Sequence, residues 1–542
     1  MKKHIISPIF SIANNLCLAM LFLTLCSCKT DGEKEVKIDT PPVRTDTLGK
    51  VIDPANPITM DEFIGANSFV DDPIDKAKAV GFLREYHNWG WDEGNWDAYP
   101  GYPNNKIAWA PSAPGWSFDD YYASVVKAGL KVSPCIQGAT AWLNASNNFK
   151  SNDKPVDAPG LSSRDPQSYH AKAHHLFQFV ARYGSKKVDV QKLTLANGQP
   201  TKSGLNLIKY IEDWNEQDKS WEGPNAEFSP EEYAAMASAD YDGHCNTLTG
   251  GKGTFGAKNA DPDIKYVMGG LVEMNLDYVK RMKTWFEANR KDKRFACDVI
   301  NFHVYAWKDG NSWQGGGPAI SPEAARFKEK AAQIVSYRNQ NLPGVEVWIS
   351  EFGWDTNPQS PLSVPKIGTY DLQEIQGFWL VRAYLAFAAA GIDRAQMFVL
   401  RDGDPNDPTW FASSGLIGKK GDFSPKKSWY YVATLKNTLK DMRFIGEQKT
   451  DNPDLLVYKF KDIRSNKGVY AVWFKTSVNK TADNVPISLS STATKAELIE
   501  MLAGSTDGED QPTTIKDGKV YISVSEKPVF IRVDNIEAKD GL

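Results

Sequence analysis

Cysteine is scarce in this chain. Of its six cysteines, three fall within the first 28 residues, and the other three, Cys135, Cys245 and Cys297, are an odd and widely spaced set with no CxxC pair. That pattern argues against a disulfide scaffold and against a structural zinc site, and buried free thiols are the expectation. Charge of one sign is also missing: 63 Lys and Arg face 67 Asp and Glu, for a net charge of −4. Nucleic-acid binding calls for a basic face and finds no support in that balance. No HExxH, Walker or EF-hand spacing occurs. The Gly250-Gly251-Lys252-Gly253 run lacks the P-loop spacing and reads as a surface loop. His170 and His174 would share a helix face, but no carboxylate completes a metal pattern beside them, so neither a metal nor a cofactor is expected. The one strongly apolar terminal run, residues 16–25, is shorter than the roughly 20 residues a membrane span needs.

What that terminus does carry is a targeting pattern. Lys2 and Lys3 precede the apolar run, and Leu25-Cys26-Ser27-Cys28 follows it. This resembles a bacterial lipoprotein signal spanning residues 1–28, which implies that Cys28 is lipidated and begins the mature chain. Cys26 is the alternative, and an ordinary secretory peptide the plainer one. Asp31, Glu33 and Glu35 come soon after, similar to surface-exported lipoproteins of Gram-negative bacteria. The expected location is the outer membrane or cell surface, with the periplasmic face as the alternative. Residues 29–58 are polar and rich in Pro and Thr, and read as a flexible tether.

At 542 residues the chain is too long for one core, and two or three domains are expected. From about residue 60, short apolar runs alternate with amphipathic stretches. Strands are expected at 63–67, 81–89, 130–137, 207–214, 264–271, 299–305, 345–351 and 395–401. Helices are expected at 73–80, 118–128 (capped by Ser117), 166–183, after Ser229-Pro230-Glu231-Glu232, at 276–290, from Ser321 to 338, at 373–390 and at 428–442. Eight strands alternating with helices argue an α/β fold, a (β/α)8 TIM barrel over residues 59–442 with long loops. After about 443 the texture becomes short strand-like runs with polar turns, 496–502 being ambiguous. That reads as a β-sandwich over 443–542, supporting the barrel rather than binding sugar, since Trp473 alone suggests an aromatic platform.

Two strand ends carry carboxylates. Residues 207–218 read LIKYIEDWNEQD, with Asp213-Trp214-Asn215-Glu216 closing an apolar run, and residues 345–354 read VEVWISEFGW, with Glu351 closing another. In a barrel both fall at the C-terminal face, where active sites gather. Paired carboxylates there suit glycoside hydrolysis, which needs a proton for the leaving oxygen and a negative charge beneath the anomeric carbon. The chain's 17 Trp, 21 Tyr and 25 Phe belong mostly to the core, yet some could give sugar rings flat faces to stack on.

Arg84 on strand two, Trp214-Asn215-Glu216 after strand four, His303-Val304-Tyr305 on strand six and Ser350-Glu351-Phe352-Gly353 after strand seven resemble, taken together, the signatures of clan A retaining glycoside hydrolases. Endo-acting β-1,3-glucanases and red-algal galactanases (agarases and porphyranases) are the nearest likenesses. Gln217 departs from the Pro many members carry at that point. The resemblance implies Glu216 as acid/base, Glu351 as nucleophile, Asn215 on the sugar 2-hydroxyl, Tyr305 donating to Glu351, Arg84 keeping Glu351 charged, and His303 at the acid/base or the substrate. His87, Trp142, Trp307, Trp354 and Trp410 are candidate sugar contacts. Arg401 and Asp402 would bind substrate or pair with each other. Strand alternation would aim Asp213 the same way as Asn215, in a supporting role. The expectation is a metal-independent, retaining and endo-acting enzyme on a β-linked polysaccharide, a monomer touching the membrane only through its lipid. The rivals are a non-catalytic glycan-binding lipoprotein and a structural surface protein.

Overall fold

The computed structural model describes residues 58–93, 110, 116–140, 142–143, 150–249, 254–308 and 318–537. Within them, eight of the apolar runs form parallel strands: β1 (Ile64–Ser68), β2 (Phe82–Asn88), β3 (Lys131–Gln137), β4 (Tyr210–Asp213), β5 (Lys265–Met268), β6 (Val299–His303), β7 (Glu346–Glu351) and β8 (Arg394–Met397). They pair in sequence order, and β1 closes on β8 with Ile64 opposite Ala395 and Gly65 opposite Gln396. The protein is thus a closed (β/α)8 barrel, with six strands inside the runs expected for them and β1 and β8 each displaced by one residue at one end.

Period-two alternation sorts the side chains of each strand. On β2, Leu83 points to the surrounding helices, whereas Phe82 joins Tyr210, Val267, Val299 and Trp348 in a separate apolar layer inside the barrel. The Arg394 guanidinium lies 4.5 Å from the Phe82 ring centre and 5.0 Å from that of Tyr210, so a cation sealed in this floor rests on aromatic faces. One layer higher the interior turns polar: Arg84, Glu212 and Asn301 are fully buried there.

The helices are α1 (Phe118–Lys127), α2 (His170–Tyr183), α3 (Pro230–Asn246), α4 (Leu276–Asn289), α5 (Phe327–Asn341), α6 (Leu372–Ala390) and α7 (Lys427–Thr438), with shorter turns between. Ser117 caps α1, and Ser229 with Glu232 forms a full capping box on α3. A second box, Asp371 with Glu374, opens α6 and was not expected. Two helix starts are corrected. Pro166–Ser168 is a separate 3-10 turn ahead of α2. The Ser321 hydroxyl accepts from the Ala324 N–H within a turn, and left-handed Arg326 (φ 59°) interrupts the chain before α5 begins at Phe327.

Beyond the barrel, β9 (Met442–Glu447), β10 (Leu455–Asp462), β11 (Gly468–Phe474), β13 (Ala496–Glu500), β14 (Glu509–Thr513) and β16 (Val529–Val533) make an antiparallel sheet in the order 14-13-16-11-10-9. β12 (Ala482–Ser488) and β15 (Lys519–Val524) pair as a second sheet against it. The ambiguous 496–502 stretch is therefore strand. Trp473 is no exposed platform: it is buried and donates its indole N–H to Glu323 at 2.9 Å. Arg382 of α6 grips the same carboxylate and donates to the carbonyls of Lys475 (2.8 Å) and Thr476 (3.1 Å), tying the sheet to the barrel helices.

Candidate active site

The turn after β4 is what brings the acid/base candidate into the barrel mouth. Trp214 (φ 82°) and Glu216 (φ 50°) both hold left-handed backbone. The Glu216 N–H is satisfied by the Gly270 carbonyl at 3.0 Å. Gly270 is required here, since a Cβ on it would lie 2.2 Å from His303 Nε2. Left-handed Trp214 breaks the strand alternation, which corrects the expectation for Asp213. That carboxylate points away from the mouth, to Lys172 Nζ at 3.1 Å and the Tyr266 hydroxyl at 2.5 Å. Asn215 and Glu216 turn inward instead.

Glu351, at the end of β7, is only 5 % exposed and accepts from three donors. Arg84 Nη1 (2.8 Å) and the Tyr86 hydroxyl reach Oε1, and the Tyr305 hydroxyl reaches Oε2 at 2.9 Å. Glu216 accepts from or donates to His303 Nδ1 at 3.0 Å, while His303 Nε2 lies 3.5 Å from Glu351. A carboxylate oxygen of Glu216, one of Glu351 and a His303 nitrogen all lie within 4.8 Å of one another. Oxygens that approach so closely suit the short carboxyl separation of retaining enzymes, about 5–5.5 Å, better than the roughly 6.5–9.5 Å of inverting ones.

Arg84 organises this group. Its Nε and Nη2 form a fork on Glu212 (2.7 and 2.8 Å). Its three remaining protons are shared: the two on Nη1 among Asn67 Oδ1 (2.8 Å), the Tyr86 hydroxyl and Glu351, and the second on Nη2 toward Asn215 Oδ1 (2.7 Å). Glu212 also takes the Gly270 N–H (3.2 Å) and Asn301 Nδ2 (3.1 Å), so it is fully satisfied. A guanidinium only donates, so it must face the Asn215 oxygen, leaving the Asn215 amide N–H groups for a ligand.

The electrostatics follow from these contacts. Burial alone would push Glu351 up, but the charges of His303 and Arg84, helped by the Tyr86 and Tyr305 hydroxyls, hold it below the usual glutamate range. Burial would likewise push His303 down, and Glu351 and Glu216 outweigh it, so its pKa is raised. Tyr86 and Tyr305 are raised far above ordinary tyrosine, chiefly by burial and then by Glu351, and remain donors. Glu351 is thus a buried, ionised carboxylate, whereas the Glu216 side chain is 22 % exposed and open to the cavity. Glu216, His303 and Glu351 are close enough to ligate a cation, but a guanidinium and two hydroxyls already fill the Glu351 oxygens. At Asp242, Cys245 and Asp292, the other such group among the described residues, Arg290 lies 2.8–2.9 Å from both carboxylates.

The pair opens into a cavity of about 730 Å³, the size of a small-ligand site. Tyr86, Asn215, Tyr305, Trp307, Phe398 and Phe411 line it around the two glutamates. Trp410 backs Trp307 at 5.1 Å rather than reaching the cavity itself. Other expected sugar contacts lie elsewhere. His87 is on the outer side of β2, fully buried, 2.8 Å from Asp92 and 3.6 Å from Glu85, because alternation sends Arg84 and Tyr86 inward. Trp354 is buried against Trp379 and donates to the Ile320 carbonyl. Trp142 packs edge-on to Trp89 at 5.8 Å, outside the cavity lining. Arg401 pairs with Asp71 and Asp72, both at 2.8 Å, and Asp402 pairs with Lys426, so the two neither pair with each other nor line the cavity. His170 and His174 have separate partners, Asp157 and Gln178. Cys28 lies outside the described residues. Sequence reasoning missed Tyr86, which stands two residues after Arg84 on the same strand face, and Glu212, two before Trp214. The period-two rule marks Tyr86, whereas Glu212 follows from it only once Tyr210 is known to face the interior. Phe398 and Phe411 carried no such signal.

No protein-family model matches the sequence, and no curated protein does. Solved structures share its fold. A family 39 glycoside hydrolase from the gut symbiont Bacteroides cellulosilyticus WH2 superposes with a TM-score of 0.57 at 17 % identity, over 88 % of this chain and 82 % of that one. A family 30 endoxylanase from Clostridium papyrosolvens C71 gives 0.52 at 12 % identity, over 88 % and 96 %. A family 44 xyloglucanase from Paenibacillus polymyxa gives 0.52 at 12 % identity, over 89 % and 97 %. At these identities the likeness is one of fold, the closed (β/α)8 barrel.

Proposed function

We propose that this protein is a retaining glycoside hydrolase that cleaves a β-linked polysaccharide by double displacement, within the chain rather than from its end. The observation that carries the reading is the close pair Glu216 and Glu351 in unlike surroundings, one open to the cavity and the other buried and held ionised. Glu351 attacks the anomeric carbon, and the glycosidic bond breaks as Glu216 hands its proton to the leaving oxygen. Glu216, now a carboxylate, takes a proton from water. The water oxygen then displaces Glu351 and frees the sugar with its original anomeric configuration. Arg84, Tyr86 and Tyr305 hold the Glu351 carboxylate in place, and the Asn215 amide faces the sugar hydroxyl beside the reacting carbon. Leading substrates are β-1,3-glucans and red-algal galactans; the xylanase and xyloglucanase among the structural neighbours add xylan and xyloglucan to the set worth assaying. Export as a lipoprotein anchored through Cys28 would place the enzyme where such polymers are met.

The test is hydrolysis by the chain from residue 29, with Glu351→Ala as control, on β-glucans, algal galactans, xylan and xyloglucan. Chromatography follows the products, and early proton NMR reads their anomeric form. The expected result is β-anomer first, abolished by the substitution. Tight binding of a glycan without any product would replace the enzyme by a glycan-binding protein.

A further inference from the structure

Resting on that reading, the cavity also bears on the charge of the substrate. Glu216 faces the leaving group, so the lobe beyond Glu216 receives the departing part of the polymer. The turns after β4 and β5 build this lobe, with Asp218, Trp221, Glu273 and Met274 in its wall and Lys330 of α5 at its side. Trp221 is 46 % exposed and supplies an aromatic face. The Asp218 carboxylate accepts the Val272 N–H at 3.1 Å, and among the described residues no cation pairs with it or with Glu273. Among the described residues that line the cavity, Lys330 is the one ammonium; Glu351 is balanced by Arg84 behind it and Glu216 carries the proton it donates, which leaves Asp218 and Glu273 as the carboxylates without a cation. Hydroxyls donate readily to carboxylates, whereas a sulfate or uronate brought there meets like charge in a partly desolvated space.

We infer that the leaving-group side of this site is built for a neutral sugar and rejects anionic ones, with Asp218 the principal determinant. This favours unsulfated β-glucan or agarose-type chains over sulfated galactans. Burial pushes Asp218 up to about 6, which still leaves it mostly ionised at neutral pH.

The experiment compares kcat/KM of the full chain on β-glucan, agarose and xylan, each unmodified, sulfated, or acetylated to the same degree as a control for bulk. The sulfated form should be cleaved about tenfold or more slowly than the acetylated one at low salt, a gap that added salt narrows. Asp218→Asn should narrow it as well, and Lys330→Met widen it. Equal or faster cleavage of the sulfated polymer, or a gap indifferent to both salt and Asp218→Asn, would overturn the inference while leaving the hydrolase reading intact. If no polymer is cleaved, the hydrolase reading fails by itself. Affinity electrophoresis on the same polymers then decides: retardation by the neutral forms supports the inference, and retardation by the sulfated forms overturns it.

Discussion

Tyr305 and Glu212 act on the nucleophile candidate at different removes, and their loss should read differently. Tyr305 donates directly to Glu351, so Tyr305→Phe removes a hydrogen bond to a charged acceptor, worth about 1.5–3 kcal/mol. We expect kcat/KM to fall about 10- to 100-fold. Because the lost donor favoured the ionised form, the Glu351 pKa rises and the acidic limb of the pH–rate profile moves toward neutrality. Glu212 touches no substrate; it balances and aims the Arg84 fork deep in the barrel. Glu212→Gln keeps the shape and removes the charge, leaving the buried guanidinium undercompensated. Urea unfolding should show a loss of about 3 kcal/mol, together with a fall in kcat larger than any change in KM.

At the scale of one element, α2 couples acidity to stability. His174 is 8 % exposed, and burial lowers its pKa to about 4 from an ordinary value of 6.5. Between those values the unfolded chain binds a proton that the folded chain refuses. The contribution is therefore present above about pH 6.5 and is lost as the pH falls toward 4, about 3 kcal/mol in all. His174→Gln should shrink the drop in stability between pH 7 and pH 4.5 by that order, measured by urea midpoints at each pH. The β4 turn shows the same scale from the side of legibility. Its apolar run and closing Asn215-Glu216 are readable, but the left-handed Trp214 that swings Asn215 and Glu216 inward while Asp213 stays outside is not, because nothing local separates that bend from a strand that simply continues. Likewise Ser321 looked like a helix cap by residue type, and left-handed Arg326 delays α5 by a turn and a half.

For the whole molecule, the seam between barrel and β-sheets is held by a few buried contacts around Glu323, shared by Arg382 and Trp473. Trp473→Ala leaves a void in β11 and strips one donor from Glu323, a cost of about 3–5 kcal/mol. Calorimetry should show a lower Tm, with kcat unchanged well below that transition. The alternation of apolar runs with amphipathic stretches, readable residue by residue, already determined eight strands and the two at whose ends Glu216 and Glu351 stand, because period and strand-end position are local properties. Only the tertiary structure decided which aromatic and basic residues reach the cavity. Trp354 and Arg401 sit near strand ends in sequence as plausibly as Phe398, whereas alternation from Arg84 already separates Tyr86 from His87. What separates Trp354 and Arg401 from Phe398 is the face each presents once the barrel closes, and contacts beyond their own strand set it: Asp71 and Asp72, just after β1, for Arg401, and Trp379 with the Ile320 carbonyl for Trp354.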